Sequence, residues 1–301
     1  MSRQAIDLHT HSLRSDGAYQ PAEVVRLAAE GGVGVQALSD HDTLAGVAEA
    51  MAAGQGLGVR IIPATELNTE SDLGDVHILG YFLDPADAAL EGRLRWLREH
   101  RGRRIELMVE RLAELGHPVR LERVIEIAQG GSLGRPHLAQ ALFEAGHVPS
   151  YDAAFDTLIG RDSPAYVARV GLTPAEAVRL VRAHGGVPSL AHPRTANDLE
   201  RLLPTLIEAG LGGVECYYGS TDPDVAHSPE YTAYLLELSR RHDLVPTGGS
   251  DFHGRGEHGA PLGSVSVPLG TIEALEARRG PAPVGEGAAG PYHVDRVERA
   301  R

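Results

Sequence analysis

Seven short apolar runs, separated by longer amphipathic stretches, set the strongest constraint on this chain. The runs fall at 5–9, 34–38, 60–64, 76–82, 187–191, 213–217 and 244–248. Apolar runs of that length, bounded by Gly and polar residues, read as strands, and the stretches between them as helices, which is the pattern of βα units. Residues 21–30 carry Val24, Val25, Leu27 and Ala28 at helical spacing, with Gly31 and Gly32 as a stop. The stretches 43–53 and 173–183 repeat the arrangement. The second opens with Thr173-Pro174-Ala175-Glu176, an N-cap followed by proline at the first helical position. Between 87 and 165 the alternation lapses, and helices are expected at 90–115, 121–128, 136–144 and 151–159. The reading is a barrel from 1–86 and 166–270, a helical insertion capping the active site at 87–165, and a partly ordered tail at 271–301.

Composition narrows the chemistry. A net charge of −13 argues against coating duplex DNA, which relies on cationic residues releasing counterions. All 28 basic residues are Arg, so Schiff-base, Walker A and metal-bridging carbamylated lysines are excluded. Cys216 is the single cysteine, which rules out a disulfide framework or a Cys-rich zinc site. The start MSRQAIDLHTH lacks a cationic segment followed by an apolar one, and no apolar run reaches membrane-spanning length. The expectation is a cytoplasmic protein with no membrane association and no obligate protein partner.

The histidines track the strands. His9-Thr10-His11 follows the first run, and residues two apart in a strand share a face, so both rings can grip one ion. The second run leads into Ser39-Asp40-His41-Asp42, the third into Thr65-Glu66, the fifth into His192 and the seventh into Ser250-Asp251-Phe252-His253, while His77 lies within the fourth. Six of seven runs thus offer an imidazole or carboxylate, five of them at or past the C-terminal end, where barrel active sites form. Nitrogen and carboxylate donors without thiolate suit manganese, iron or zinc. Glu66 is a natural bridging ligand. Water activated by such ions would be the nucleophile, so no side-chain nucleophile is needed.

The segments DLHTHSLRSDG, LSDHD, ATEL, VHILGY, LAHP and GSDFHG, in that order over residues 7 to 263, resemble the PHP (polymerase and histidinol phosphatase) superfamily. That resemblance implies an α/β fold, a distorted (β/α)7 TIM-like barrel, and two or three divalent cations, with manganese favoured over iron or zinc. It implies His9, His11 and Asp251 on a first ion and Glu66 bridging to a second, which His77 and His192 complete. Asp16, His41 and His253 would hold a third. The insertion resembles the branch of nucleoside 3′,5′-bisphosphate phosphatases and 5′-to-3′ exoribonucleases, through Gly134-Arg135-Pro136-His137-Leu138-Ala139 and Ser163-Pro164-Ala165-Tyr166-Val167. That branch often carries a Lys shortly before its Pro-Ala-Tyr-Val segment, where this chain has Arg161.

Arg135, just ahead of Pro136 at a helix start, is a sensible phosphate grip on its own chemistry, and His137 is a candidate second contact. The expected activity is release of the 3′-phosphate from a nucleoside 3′,5′-bisphosphate, with trimming of 5′ ends of short RNA as a related activity. The partner is then a small phosphorylated nucleotide or an RNA 5′ end. Histidinol phosphatase and metal-dependent amidohydrolase are the alternatives. Among secondary candidates, Asp7 reads equally as a site carboxylate or a structural one, and Asp40 or Asp42 as an orienter of His41.

Overall fold

The computed structural model describes residues 5–220, 226–254 and 259–280. Seven strands form one sheet in chain order: β1 (Ala5–Asp7), β2 (Val33–Leu38), β3 (Arg60–Asn68), β4 (His77–Tyr81), β5 (Val187–Leu190), β6 (Gly213–Tyr218) and β7 (Val245–Gly249). Strands β1–β3 are parallel, as are β5–β7, while β4 runs antiparallel to both its neighbours. The sheet curls until its edges meet. The Leu8 N–H donates to the Gly248 carbonyl at 3.1 Å, and Thr10 bridges Phe252. Closure needs Gly249, where a Cβ would stand 2.4 Å from the His9 nitrogen. The result is a nearly closed, distorted barrel.

Helices α1 (Pro21–Glu30) and α2 (Val47–Leu57) follow the first two strands. The second begins later than the expected 43–53. Asp42 takes a left-handed φ of 55° and the Thr43 N–H donates to Thr65 Oγ1, so the chain leaves β2 through a turn held by side chains. Helices α3 (Ala88–Glu114), α4 (Leu121–Ala128), α5 (Arg135–Glu144) and α6 (Tyr151–Ala154) lie between β4 and β5 with no named strand among them. The last expected helix, 151–159, divides into α6 and a wider π-helical turn at Phe155–Ile159. Ile105, Met108, Leu112, Val124, Leu138, Leu142 and Ile159 belong to a buried cluster of their own.

Helices α7 (Pro174–Ala183), α8 (Leu199–Ala209) and α9 (Pro229–Arg241) continue the βα alternation. Val178, Val181, Leu203, Leu206, Leu235 and Leu238 pack in one cluster with Ile78, Leu190 and Val214. Thr173 caps α7 reciprocally with Glu176, as its sequence suggested. The expected tail at 271–301 falls only in part on described residues. Helix α10 spans Gly270–Glu276 and buries Thr271, Ile272 and Leu275, with Ile272 and Leu275 in the core cluster of Ile6, Leu8 and Val245, so apolar packing continues the fold there. The tail beyond 280 lies outside the described residues. Among those described, no helix is long and apolar enough to cross a membrane.

Candidate metal centre

The reversed direction of β4 decides which side chains meet. The rim that receives the C-terminal ends of the parallel strands also receives the N-terminal end of β4, where His77 stands. His9 and His11 follow β1, His41 follows β2, Glu66 lies in β3, His192 follows β5, and Asp251 and His253 follow β7. Asp16 joins them from the loop after β1. All nine come together at this rim.

Their donor atoms are spaced as ion ligands are. His9 Nε2 stands 3.2 Å from Glu66 Oε2 and 3.2 Å from Asp251 Oδ1. His11 Nε2 stands 3.2 Å from the same two oxygens. Edges of that length are what donors sharing one ion at about 2.0–2.3 Å have. The other oxygen of Glu66 faces His77 Nδ1 at 2.8 Å and His192 Nε2 at 2.9 Å. Asp16 completes the set, with Oδ1 at 3.4 Å from His253 Nε2 and Oδ2 at 3.5 Å from His41 Nε2. Three groups gather donors within 4.8 Å of one another: His9, His11, Glu66, Asp251; His11, Asp16, His41, His253; and His41, Glu66, His77.

Hydrogen bonding alone does not account for this packing. Both ring nitrogens of His11, His77 Nε2, Asp16 Oδ1 and Asp251 Oδ1 are buried without a hydrogen-bond partner. Several stand close to opposite charge yet off the line a hydrogen bond requires, which is costly for buried polar groups and fits a shared cation. The electrostatics agree. Burial alone would lower the pKa of His9, but Asp251, Glu215 and Glu66 outweigh it and hold the ring well above its usual value. His11 is pushed up to about 10 and His77 to about 9, burial again being overcome by carboxylates, Glu66 and Asp251 for the first and Glu66 and Asp75 for the second. Against burial, neighbouring imidazoles hold Glu66, Asp16 and Asp251 well below the carboxylate range. Protons stand in for the positive charge that so many acids demand.

A supporting layer orients these donors. Glu215 receives the His192 N–H at 2.6 Å and lies 3.2 Å from His9 Nδ1. The Asn68 amide lies 3.0 Å from His41 Nδ1. Tyr218 donates to Asp251 Oδ2 at 2.8 Å, leaving Oδ1 toward His9 and His11. His192 and Asp251 adopt left-handed φ values of 24° and 52°, a strain typical of functional positions.

A cleft of about 760 Å³ opens above the rim. It is lined by Asp16, His41, His77, His192, Asp251 and His253, and on the facing side by Arg135, Phe155 and Arg161. Arg135 pairs with Asp75 at 2.8 Å, and Asp75 lies 3.6 Å from His77 Nε2.

Residues 7–101 match the PHP domain. The chain is 33% identical over 253 residues to the 5′-3′ exoribonuclease Rnm of Escherichia coli, covering 82% of this chain and 84% of that protein. It is 36% identical over 262 residues to a phosphoribosyl 1,2-cyclic phosphate 1,2-diphosphodiesterase of Eggerthella lenta, covering 83% and 94%. A 3′,5′-nucleoside bisphosphate phosphatase of Chromobacterium violaceum is 33% identical over 272 residues, covering 86% and 90%. The chain belongs to the PHP family. A crystal structure of a metal-dependent phosphoesterase from Bifidobacterium adolescentis shares the fold, with a TM-score of 0.82, 31% identity and coverage of 92% and 96%. This PHP protein is accordingly an enzyme, a hydrolase of the metal-dependent phosphatase and phosphodiesterase class.

His137, the candidate second phosphate contact, has a buried ring whose Nδ1 accepts the Gly134 N–H at 3.1 Å, satisfying one N–H group at the start of α5. Asp40 accepts from Ser12 and Ser15, while Asp42 accepts from Arg101 and from the Asn68 amide that lies against His41 Nδ1, so Asp42 reaches His41 through Asn68. Asp7 accepts the Ser250 N–H at 2.9 Å, which ties β1 to the segment after β7. Tyr218, Asn68, Asp75 and Arg101 were missed. Only Asp75, two residues before His77, left a local signal.

Proposed function

We propose that this enzyme hydrolyses the 3′-phosphate of nucleoside 3′,5′-bisphosphates and trims 5′ ends of short RNA. In this reading the barrel is 1–86 and 166–270, and the 87–165 insertion caps its site. Two or three divalent cations, manganese best suited, sit at the rim. His9, His11 and Asp251 hold one, and Glu66 links it to another held by His77 and His192. Asp16, His41 and His253, with His11 adjoining, hold the third. Such ions supply Lewis acidity, lowering the pKa of water and neutralising charge on phosphoryl oxygens.

The observation that carries the substrate assignment is Arg135, which lines the same cleft as the imidazoles and carboxylates. A guanidinium fork suits a phosphate that is bound and left intact. That favours a substrate with two phosphates, one over the rim and one at Arg135. Exchange of Asp75 for phosphate oxygens at Arg135 would frame the second site, with Phe155, whose ring lies 5.9 Å from the Arg135 guanidinium carbon, as its apolar wall. The relatives named as a bisphosphate phosphatase and an exoribonuclease support the same class.

The test is an assay of manganese-loaded protein with 3′-phosphoadenosine 5′-phosphate, a 5′-phosphorylated oligoribonucleotide, phosphoribosyl 1,2-cyclic phosphate and histidinol phosphate. Inorganic phosphate from the first and mononucleotides from the second are expected. Turnover confined to the cyclic diester, or to histidinol phosphate, would overturn the substrate assignment.

A further inference from the structure

A buried cation outside the ligand set is aimed at it. Arg101 lies on α3, and only 6% of it is exposed. Its Nε donates to the Leu133 carbonyl at 2.6 Å, and one terminal nitrogen donates to Asp42 Oδ2 at 3.1 Å. The other lies 4.0 Å from Asp16 Oδ2, the oxygen that faces His41 Nε2 at 3.5 Å. Gly134 makes room for this placement, since a Cβ there would stand 2.6 Å from the guanidinium. The group is clamped on three sides.

Among the described residues, three groups can hold an ion, and the Arg101 guanidinium comes within 4.0 Å of a carboxylate ligand in one of them. There it competes with the ion for Asp16 and repels it directly. Asp42 offsets part of that charge, though Asp42 also accepts from Asn68. Arg135, a second arginine at the cleft, is joined to Asp75 instead.

We propose that Arg101 makes the ion at His11, Asp16, His41 and His253 the most weakly held of the set, so that the α3 insertion governs whether that position is filled. The inference rests on the reading of those four residues as ligands. It makes the insertion a regulator of metal occupancy as well as a carrier of Arg135. Arg101 is a positioning residue: it acts through Asp16 and touches no substrate.

The experiment is titration of chelator-stripped protein with manganese alone, by calorimetry, with metal content by mass spectrometry after dialysis against graded chelator. Arg101→Met should tighten the weakest binding step about tenfold, as removal of a unit charge close to a divalent ion in partly screened surroundings requires. The tighter steps should move less than twofold. Arg101→Lys keeps the charge and loses the Leu133 clamp, and should leave the weakest step within twofold of the unaltered protein. Asp42→Asn leaves the guanidinium without its partner and should weaken that step.

If Arg101→Met does not fold, Asp42→Asn decides alone, a weaker step supporting the inference and an unchanged or tighter one overturning it. Weakening in Arg101→Met, or equal shifts of all steps, would make Arg101 a structural clamp and overturn it too. Asp16→Asn separates the two ideas. If it abolishes no step, the ligand reading fails. If it abolishes the weakest step while Arg101→Met leaves that step unchanged, only the role of Arg101 fails.

Discussion

At the scale of single residues, Glu66 is the joint of the centre, because its two oxygens face different sets of imidazoles. Glu66→Gln keeps the shape but removes the charge that both sets share. The variant should lose at least one equivalent of bound metal by mass spectrometry and at least about 100-fold in turnover. Arg135→Ala is its counterpart on the substrate side. It should lower kcat/KM for a nucleoside bisphosphate about 10- to 100-fold, as expected for one charge-assisted contact worth about 1.5–3 kcal/mol. Metal content should stay unchanged, and loss of metal in that variant would contradict the division of roles.

The raised pKa values of His11 and His77 imply a signed pH dependence. His11 and His77, with pKa values raised to about 10 and about 9, keep their protons at neutral pH until metal displaces them. Calorimetry in two buffers of different ionisation enthalpy should therefore show proton release on manganese binding, and affinity should rise with pH toward 9. A pKa raised in the folded state contributes stability below about 6.5 that is lost as pH rises through the folded value. Metal-stripped protein should accordingly lose melting temperature between pH 8 and 10. An alkaline optimum in its stability would contradict the assignment.

At the scale of elements, what was legible and what was not follow from the physics of each signal. Seven apolar runs separated by amphipathic segments displayed the strands, since periodicity is local. The direction of β4 was not legible. Antiparallel pairing of Ala64 with Tyr81 and of Asn68 with His77 depends on partners distant in sequence, and it extends β3 to Asn68, beyond the end expected from composition. That reversal also explains why His77, at the N-terminal end of its strand, belongs at the rim.

Tyr218 and Arg101 were invisible for the same reason. A tyrosine ending a strand and an arginine in a charged helix look ordinary until tertiary contacts place them beside Asp251 and Asp16. The meeting of β7 with β1 offers a direct test. Gly249→Ala would drive a methyl group into His9. It should cost about 1–3 kcal/mol in denaturant unfolding and reduce metal retention, because overpacked backbone contacts must shift. An unaltered midpoint with full metal content would refute this account of closure.

At the scale of the molecule, the insertion is fastened to the barrel by guanidinium groups that donate to backbone carbonyls. Arg98 reaches Asp42, Arg161 reaches Ser71, and Arg104 and Arg111 reach Val167 and Tyr166 in the chain returning to the barrel. Arg161 also lines the cleft, so the cleft takes its shape from both parts. A net charge of −13, with Arg135 and Arg161 as the arginines lining the cleft, fits the proposed short anionic substrates better than long nucleic-acid tracks. All of this depends on cations at the rim. The most direct measurement is anomalous diffraction from crystals grown with manganese and collected on both sides of its absorption edge. A peak is expected within about 2.0–2.4 Å of donor atoms from His9, His11, Glu66 and Asp251, with at least one more bound through the second oxygen of Glu66. A map without peaks among these residues, or with manganese only elsewhere on the surface, would contradict it.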